Sequence, residues 1–134
     1  MDESQGLIRR YFETFNAFDR AGMLACLSDD IVHDVNQGER RLGKSQFAAF
    51  LQRMDHCYRE QLRDIVIMTD ANGGRASAEF VVHGHYIADD EGLPPARGQS
   101  YVLPAGTFFE IVGGKITRVT THYNLNNWIS QVAG

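Results

Sequence analysis

The sequence predicts one α+β domain over residues 1–134, in which helices come first and a curved antiparallel sheet follows. Two observations lead to this prediction. The first 58 residues repeat their apolar side chains with the helical period, except for one short strand that ends at Asp34. The rest of the chain is rich in β-branched and aromatic residues and alternates with period two. A twisted sheet with helices on its concave side would enclose an apolar pocket.

Three helices are predicted before the main run of strands. Asp19 is expected to cap a short second helix that runs to Leu27. A third helix begins after Gly43 and carries an apolar stripe whose last member is Tyr58. The first helix, in residues 4–18, has one broad apolar face formed by Leu7, Ile8, Tyr11, Phe12, Phe15 and Phe18.

Four strands are predicted in the second half of the chain, over residues 62–69, 76–88, 99–112 and 116–125. Turn sequences separate them, and Gly113-Gly114 joins the last two strands as a tight hairpin. Gly84 lies between large side chains within its strand, so we expect a bend or a bulge there. The final segment is expected to form a turn in which Trp128 caps the core or the open end of the sheet.

Composition limits the partners and the compartment. The chain has 43% hydrophobic and 22% charged residues, as globular proteins do, and its formal net charge is −4. An acidic chain without a cluster of basic residues is not expected to bind nucleic acid. No apolar stretch is long enough to span a bilayer, and the acidic start Met1-Asp2-Glu3 lacks the pattern of a signal peptide. We therefore expect a cytoplasmic protein with no membrane partner.

Asp34 ends the apolar run Ile31-Val32-His33-Asp34. With period two, Val32 and Asp34 share one face of the strand, and Ile31, His33 and Val35 share the other. If the Val32 face lines the interior, desolvation raises the pKa of the Asp34 carboxyl and makes it a usable proton-transfer group. The alternative is that Asp34 is a solvated residue that opens the following turn.

Several short motifs resemble the NTF2-like superfamily, in particular its SnoaL-like and ketosteroid-isomerase-related branch. The resemblance covers nearly the whole chain. It implies a cone in which a curved sheet wraps around a helix pair and opens to a largely apolar cavity. The residues that carry it are Arg10-Tyr11, Asn16-Ala17-Phe18-Asp19, Asp29-Asp30, His33-Asp34, Gly43 and Gly114-Lys115-Ile116.

Ketosteroid isomerases of this superfamily use three side chains, and the resemblance implies where two of them lie. A helix tyrosine donates a hydrogen bond to the substrate carbonyl as it becomes an enolate, and Tyr11 matches it. An aspartate at the end of the first strand moves the proton, and Asp34 matches it if one residue is deleted between Asp30 and Asp34. The nine-residue step from Asp34 to Gly43 supports this deletion, because without it Val35 would take the catalytic position.

The third side chain of those isomerases, a protonated aspartic acid in the oxyanion hole, has no match. Counting back from the Gly113-Gly114 hairpin puts Thr107 in its position, or Gly106 if the register slips by one residue. A hydroxyl is a weaker donor than a neutral carboxylic acid, and one oxyanion-hole donor lowers the barrier by about 3 kcal/mol. We therefore expect steroid-type isomerisation to be seriously weakened.

The apolar faces of the predicted elements supply the other pocket candidates. Core packing is the alternative role for Tyr123, and closure of the core is the alternative for Trp128. The predicted substrate pocket consists of Val32, Phe15, Phe80, Val82, Tyr86, Thr107, Phe109, Tyr123 and Trp128.

The histidines invite a metal interpretation, because His83 and His85 share one face of a strand. No third ligand has suitable spacing, the cysteines Cys26 and Cys57 have no metal-ligand pattern, and neither a metal nor another cofactor is expected. Strand parity assigns both histidines to the outer face, although a bulge at Gly84 could turn one inward. Related dehydratases use paired histidines with an aspartate and tyrosines, and His33, His122 and Tyr101 supply such residue types without a clear positional match.

Two classes of function are therefore predicted. The first is a cofactor-independent, isomerase-like enzyme for an apolar small molecule that is cyclic or bears a carbonyl, with Asp34 relaying a proton and Tyr11 polarising the oxygen. Dehydratase or cyclase chemistry of the hydro-lyase type is the rival reaction. The second class is a ligand-binding or dimerisation module without catalysis.

A structure should discriminate between these classes. Tyr11 and Asp34 facing a common void, with a raised pKa for Asp34, would favour the enzyme. A solvent-exposed ion pair between Asp34 and an arginine would favour the non-catalytic module. A homodimer is expected under either, because the convex face of such a sheet would otherwise expose apolar side chains.

Overall fold

The computed structural model describes residues 3–134, which form four helices and one curved, unclosed sheet of six strands. Met1 and Asp2, which entered the signal-peptide prediction, lie outside the described residues. In chain order the elements are α1 Glu3–Asn16, α2 Arg20–Ala25, β1 Leu27–Val35, β2 Arg41–Leu42, α3 Lys44–Cys57, β3 Tyr58–Thr69, β4 Arg75–Tyr86, β5 Gln99–Val112, β6 Lys115–Tyr123 and α4 Leu125–Val132.

The strands lie in the order β2-β1-β6-β5-β4-β3, so β2 and β3 form the two edges of the sheet. Strands β3 to β6 are joined as consecutive antiparallel neighbours, as the turn sequences predicted. Strands β1 and β6 are parallel, which differs from the expectation of an antiparallel sheet. One helix, α3, and four strands, β2 to β5, lie between the two in sequence, and a connection of that length permits the parallel arrangement. The predicted α+β class is confirmed.

The helices pack against one face of the sheet through aromatic side chains. Phe12 of α1 contacts Phe80 of β4 and Phe109 of β5, with ring centroids 5.4 and 5.9 Å apart. Trp128 of α4 contacts Tyr86 of β4 at 5.0 Å. Such contacts add about 0.5–1.5 kcal/mol each beyond the burial of apolar area. They fix the helices on the concave face and leave the convex face uncovered.

Side-chain caps account for the starts of two helices, α2 and α4. The Asp19 side chain caps α2 as predicted, accepting a hydrogen bond from Gly22 N at 2.8 Å. The third helix ends earlier than predicted, because Tyr58 belongs to β3 and not to the apolar stripe of α3. The expected C-terminal turn is a two-turn helix, α4, that Asn124 caps by accepting a hydrogen bond from Asn127 N at 3.0 Å.

Gly84 permits a close approach between strands, and the predicted bulge at this position is wrong. The pairing of β4 with both neighbours runs through it without a shift, with Glu60 opposite on β3 and Tyr101 opposite on β5. A Cβ atom on Gly84 would lie 2.5 Å from Tyr101 Oη and 2.6 Å from Tyr101 Cε2. The absent side chain therefore lets the Tyr101 ring lie across β4 towards Glu60.

The convex face of the sheet carries exposed apolar side chains. Val66, Met68, Val102 and Phe108 are each 49–51% exposed. This is the feature from which the homodimer was predicted, and the homodimer stays a prediction. Separately, none of the helices in residues 3–134 combines the length and apolar character that a membrane crossing requires.

We predict that Gly84→Ala lowers the free energy of unfolding by about 1–3 kcal/mol, the usual cost of overpacking, because the new methyl group displaces the Tyr101 ring. Gly106→Ala is the matched control on the neighbouring strand. A Cβ there would meet Ala78 O at an ordinary 3.5 Å, so we expect a change of less than about 0.5 kcal/mol. Urea unfolding of both variants measures the difference in the free energy of unfolding. Equal values for the two variants would contradict the position of the Tyr101 ring across β4 at Gly84.

Candidate active-site cavity

The concave face of the sheet and the helices enclose a cavity of ≈ 280 Å³. Its wall is mostly aromatic and aliphatic, which suits an apolar ligand. The predicted catalytic residue Tyr11 lines it, as do six of the predicted pocket residues, namely Phe15, Phe80, Val82, Thr107, Tyr123 and Trp128.

Tyr86 and Phe109 are fully buried and support this wall without lining it. The Tyr86 ring stacks on Tyr58 at 5.4 Å, and its hydroxyl donates to Pro94 O at 2.6 Å. Phe109 meets Tyr11 edge to face at 5.8 Å. These two predicted pocket residues therefore position the rings that face the cavity.

Asp34 lies outside the cavity, and its predicted inward orientation is wrong. Together with Val32 it borders a groove on the opposite face of the sheet. Its carboxylate accepts hydrogen bonds from Arg40 Nε at 2.8 Å, Arg40 Nη2 at 3.0 Å and Thr120 Oγ1 at 2.8 Å. The Arg40 hydrogen bonds hold the pKa of Asp34 below its ordinary value. Asp34 is thus an ion-paired carboxylate and not a desolvated one.

The alternation of β1 explains this orientation. Ile31 and His33 are buried on the inner face and Val35 lines the cavity, so Asp34 between them points outward. In the match to ketosteroid isomerases, Val35 takes the position of the catalytic aspartate when no residue is deleted between Asp30 and Asp34. Thr107, in the position of the second isomerase acid, faces the cavity and shares a hydrogen bond of 3.1 Å with the Thr121 hydroxyl. Neither isomerase carboxylate has a counterpart in the cavity wall.

His33, and not the adjacent Asp34, faces the cavity. Its ring packs against Phe47 and Phe50, with centroids 4.4 and 4.6 Å away, and only 3% of the residue is exposed. Burial, together with the nearby charge of Arg41, lowers the pKa of His33 to about 4. His33 is therefore a neutral imidazole at physiological pH.

Glu60 on β3 is the cavity carboxyl that the sequence interpretation missed. Tyr101 Oη donates to Glu60 Oε2 at 2.5 Å through the gap left by Gly84. Desolvation raises the pKa of Glu60, against the lowering effect of the Tyr101 hydrogen bond and the Arg20 charge. The result is a carboxyl group in apolar surroundings whose pKa is moved towards neutrality, the property first expected of Asp34.

A second carboxylate lines the cavity from the loop that follows β4. Asp90 accepts a hydrogen bond from the Tyr58 hydroxyl at 2.6 Å and is paired with Arg53. Burial and the hydrogen bond to Asp90 raise the pKa of Tyr58, so this phenol stays protonated. Asp90 is therefore a paired group, whereas Glu60 has only a neutral phenol as its direct partner.

The other histidines lie on the outer face. His83 and His85 border a shallow depression of the convex face, and His122 contacts Phe108 there at 6.0 Å. The unbroken pairing at Gly84 turns neither histidine inward. Among residues 3–134, no three His, Cys, Asp or Glu side chains are grouped so that they could hold a metal ion.

Two signals in the sequence could have identified the inward residues. Ile31 and Val35 flank His33 at period two, whereas Asp34 has only Val32 on its face, so the apolar count favours the His33 face. Tyr58 and Leu62 flank Glu60 in the same way. Assigning Tyr58 to the preceding helix concealed that alternation.

The curved sheet, the helices on its concave side and the cavity between them define an NTF2-like protein. The chain belongs to the SnoaL-like domain family, whose sequence pattern it matches over residues 8–119. The predicted NTF2-like superfamily and its SnoaL-like assignment are thus confirmed.

Solved structures extend this likeness over the whole chain. A candidate polyketide cyclase from Pseudomonas putida is 59% identical, with a TM-score of 0.96 and 98% of each chain covered. Another from Xanthomonas campestris is 55% identical, with a TM-score of 0.93 and 96% of each chain covered. An epoxide hydrolase from M. tuberculosis shares only 17% identity at a TM-score of 0.78 over 98% of this chain and 85% of its own, which shows a common fold alone. The comparison with curated proteins gave no match.

The pKa of His33 predicts a loss of stability in mild acid. Because the pKa is about 4 in the folded chain and 6.5 for an ordinary histidine, the unfolded chain takes up a proton first as the pH falls. The contribution of neutral His33 to the free energy of unfolding is fully present above pH 6.5 and is lost as the pH falls from 6.5 to 4. From pH 8 to pH 5 the expected loss is about 2 kcal/mol.

Urea unfolding of the wild-type protein and of His33→Phe at these two pH values measures this contribution. The variant keeps a ring against Phe47 and Phe50 but cannot titrate, so its stability should fall by about 2 kcal/mol less over the same interval. An identical pH dependence in both proteins would show that His33 is not buried as a neutral group.

Proposed function

We propose that this chain is a cofactor-independent enzyme that transfers a proton on an apolar, cyclic or carbonyl-bearing small molecule bound in the cavity. The observation that carries the proposal is the Glu60 carboxyl, which lines an aromatic wall with a raised pKa. A carboxyl group whose pKa moves towards the working pH is an effective general acid and base. Glu60 takes the role that Asp34 was predicted to have.

In the proposed reaction, Glu60 removes a proton from the carbon next to a substrate carbonyl and returns it to another atom of the same molecule. The Tyr101 hydroxyl donates to one Glu60 oxygen and so directs the other carboxyl oxygen towards the substrate. Tyr11 remains the proposed donor to the substrate oxygen on which negative charge develops. It lines the cavity, and burial raises its pKa, so it stays protonated and able to donate.

The relatives support a substrate of the polyketide type. The structures at 55% and 59% identity are those of candidate polyketide cyclases. Closing a ring in a polyketide begins with removal of a proton next to a carbonyl, which is the step proposed for Glu60. Ring closure followed by loss of water is therefore the reaction class we favour over steroid isomerisation, since Val35 and Thr107 stand where the isomerase acids would be needed.

A non-catalytic binding module is the second candidate. The observation that favours it is the ion pair between Asp34 and Arg40, whose arginine side chain is 59% exposed. That pair removes Asp34 from catalysis but leaves the accessible cavity and Glu60 unexplained. We therefore prefer the enzyme, and an isotope-exchange experiment separates the two.

We predict that the protein catalyses exchange of the C1 protons of 2-tetralone for deuterium in D₂O, followed by proton NMR. Glu60→Gln keeps an acceptor for Tyr101 but cannot carry the proton, so the exchange rate should fall by about 10²-fold or more. Asp34→Asn is the matched control on the other face of the sheet and should leave the rate unchanged.

Two outcomes would contradict the proposed enzyme. Wild-type protein that exchanges 2-tetralone no faster than buffer would favour the binding module. A Glu60→Gln variant that retains the wild-type rate would show that another group carries the proton.

A further inference from the structure

A pair of polar side chains lies on the cavity wall opposite Glu60 in the strand order. Arg41 on β2 and His33 on β1 are directly paired across the two strands, and both line the cavity. Strand β2 is one edge of the sheet, whereas Glu60 lies on β3 at the other edge. The curved sheet therefore brings a cation and a carboxyl to two separate parts of one cavity.

Both members of this pair have buried atoms that lack a partner. Within residues 3–134, His33 Nδ1 and Arg41 Nη1 are inaccessible and make no hydrogen bond. An unsatisfied buried polar group costs about 1–3 kcal/mol, and a charged one costs more. Because the two residues are neighbours across the strands and both line the cavity, an acceptor oxygen of a bound ligand is the partner that would satisfy them.

The protein groups around the pair do not supply an acceptor. The guanidinium carbon of Arg41 lies 4.7 Å from the Phe50 ring centroid, and His33 lies between the rings of Phe47 and Phe50. No carboxylate in the described chain forms an ion pair with Arg41, whereas the adjacent Arg40 is paired with Asp34. Arg41 thus keeps an unneutralised positive charge at an aromatic part of the cavity wall.

We infer that Arg41 and His33 form a subsite for an anionic oxygen of the ligand, namely a carboxylate. A guanidinium has only donors and binds such oxygens through charge-assisted hydrogen bonds. The neutral His33 imidazole adds a donor when its proton lies on Nδ1. The inference rests on the proposed function in that both use the same cavity, and it adds that the ligand is acidic at the end that faces β2.

Trp128 provides a direct probe of this subsite. It is the only tryptophan of the chain and it lines the cavity, so its fluorescence should report a bound aromatic ligand. We compare 2-naphthoate with the uncharged 2-naphthalenemethanol, which has the same ring system. The wild-type protein should bind naphthoate at least about tenfold more tightly than the alcohol, as expected for charge-assisted hydrogen bonds.

Arg41→Gln should remove this preference by weakening naphthoate about tenfold or more and leaving the alcohol unchanged. Arg40→Gln is the matched control, because it removes the same charge one residue away but on the convex face. Arg41→Lys keeps the charge and should recover part of the naphthoate affinity. Circular dichroism establishes that each variant is folded.

The proposal is overturned if naphthoate fails to bind the wild-type protein, or if naphthoate and the alcohol bind equally. It is also overturned if Arg40→Gln weakens naphthoate as much as Arg41→Gln does. Glu60→Gln separates this result from the proposed catalysis. That variant should lose isotope exchange yet bind naphthoate at least as tightly as the wild-type protein, because Glu60 lies on the opposite edge strand and glutamine carries no negative charge.

Discussion

The alternation of side chains about one curved sheet determines which chemistry this protein can perform. The concave face buries the aromatic side chains of the helices, and Phe12, Phe47 and Trp128 all contact it. Once that face is closed, successive residues of each regular strand segment alternate between the inner and the outer face. On β1, His33 therefore points inward and Asp34 points outward. On β3, Glu60 points inward, between the buried residues Tyr58 and Leu62.

Two carboxyl groups consequently have opposite environments. Asp34 is held by Arg40 and Thr120 on the outer face, and its hydrogen bonds favour the ionised form. Glu60 is held only by a phenol in apolar surroundings, and desolvation favours its protonated form. The missing side chain of Gly84 is what allows this phenol to reach Glu60. A packing feature of the sheet thereby determines the chemistry of the cavity.

The fold was largely predictable, because periodicity and turn residues are local signals. The Gly113-Gly114 hairpin and the Asp19 cap are read from a few adjacent residues, and the family resemblance supplied the cone. The site was predictable only in part. Tyr11 and Thr107 lie on the cavity wall as expected, but Asp34 does not. On β1 the apolar count favours the His33 face, with Ile31 and Val35, over the Asp34 face, with Val32, by only one residue. The Tyr101–Glu60 contact joins residues 41 positions apart across a third strand, and no local pattern encodes it.

The carboxyl groups of Glu60 and Asp34 offer the most direct test of the central claim, that proton transfer belongs to the inner face of the sheet. Carbon-13 NMR of protein labelled at the side-chain carboxyls measures both pKa values in one titration, and Glu60→Gln and Asp34→Asn assign the two signals. We expect Glu60 to titrate above the ordinary glutamate value of about 4.3 and Asp34 below the ordinary aspartate value of about 3.9. A Glu60 signal at or below its ordinary value, with Asp34 raised, would contradict the claim and return the chemistry to the outer face.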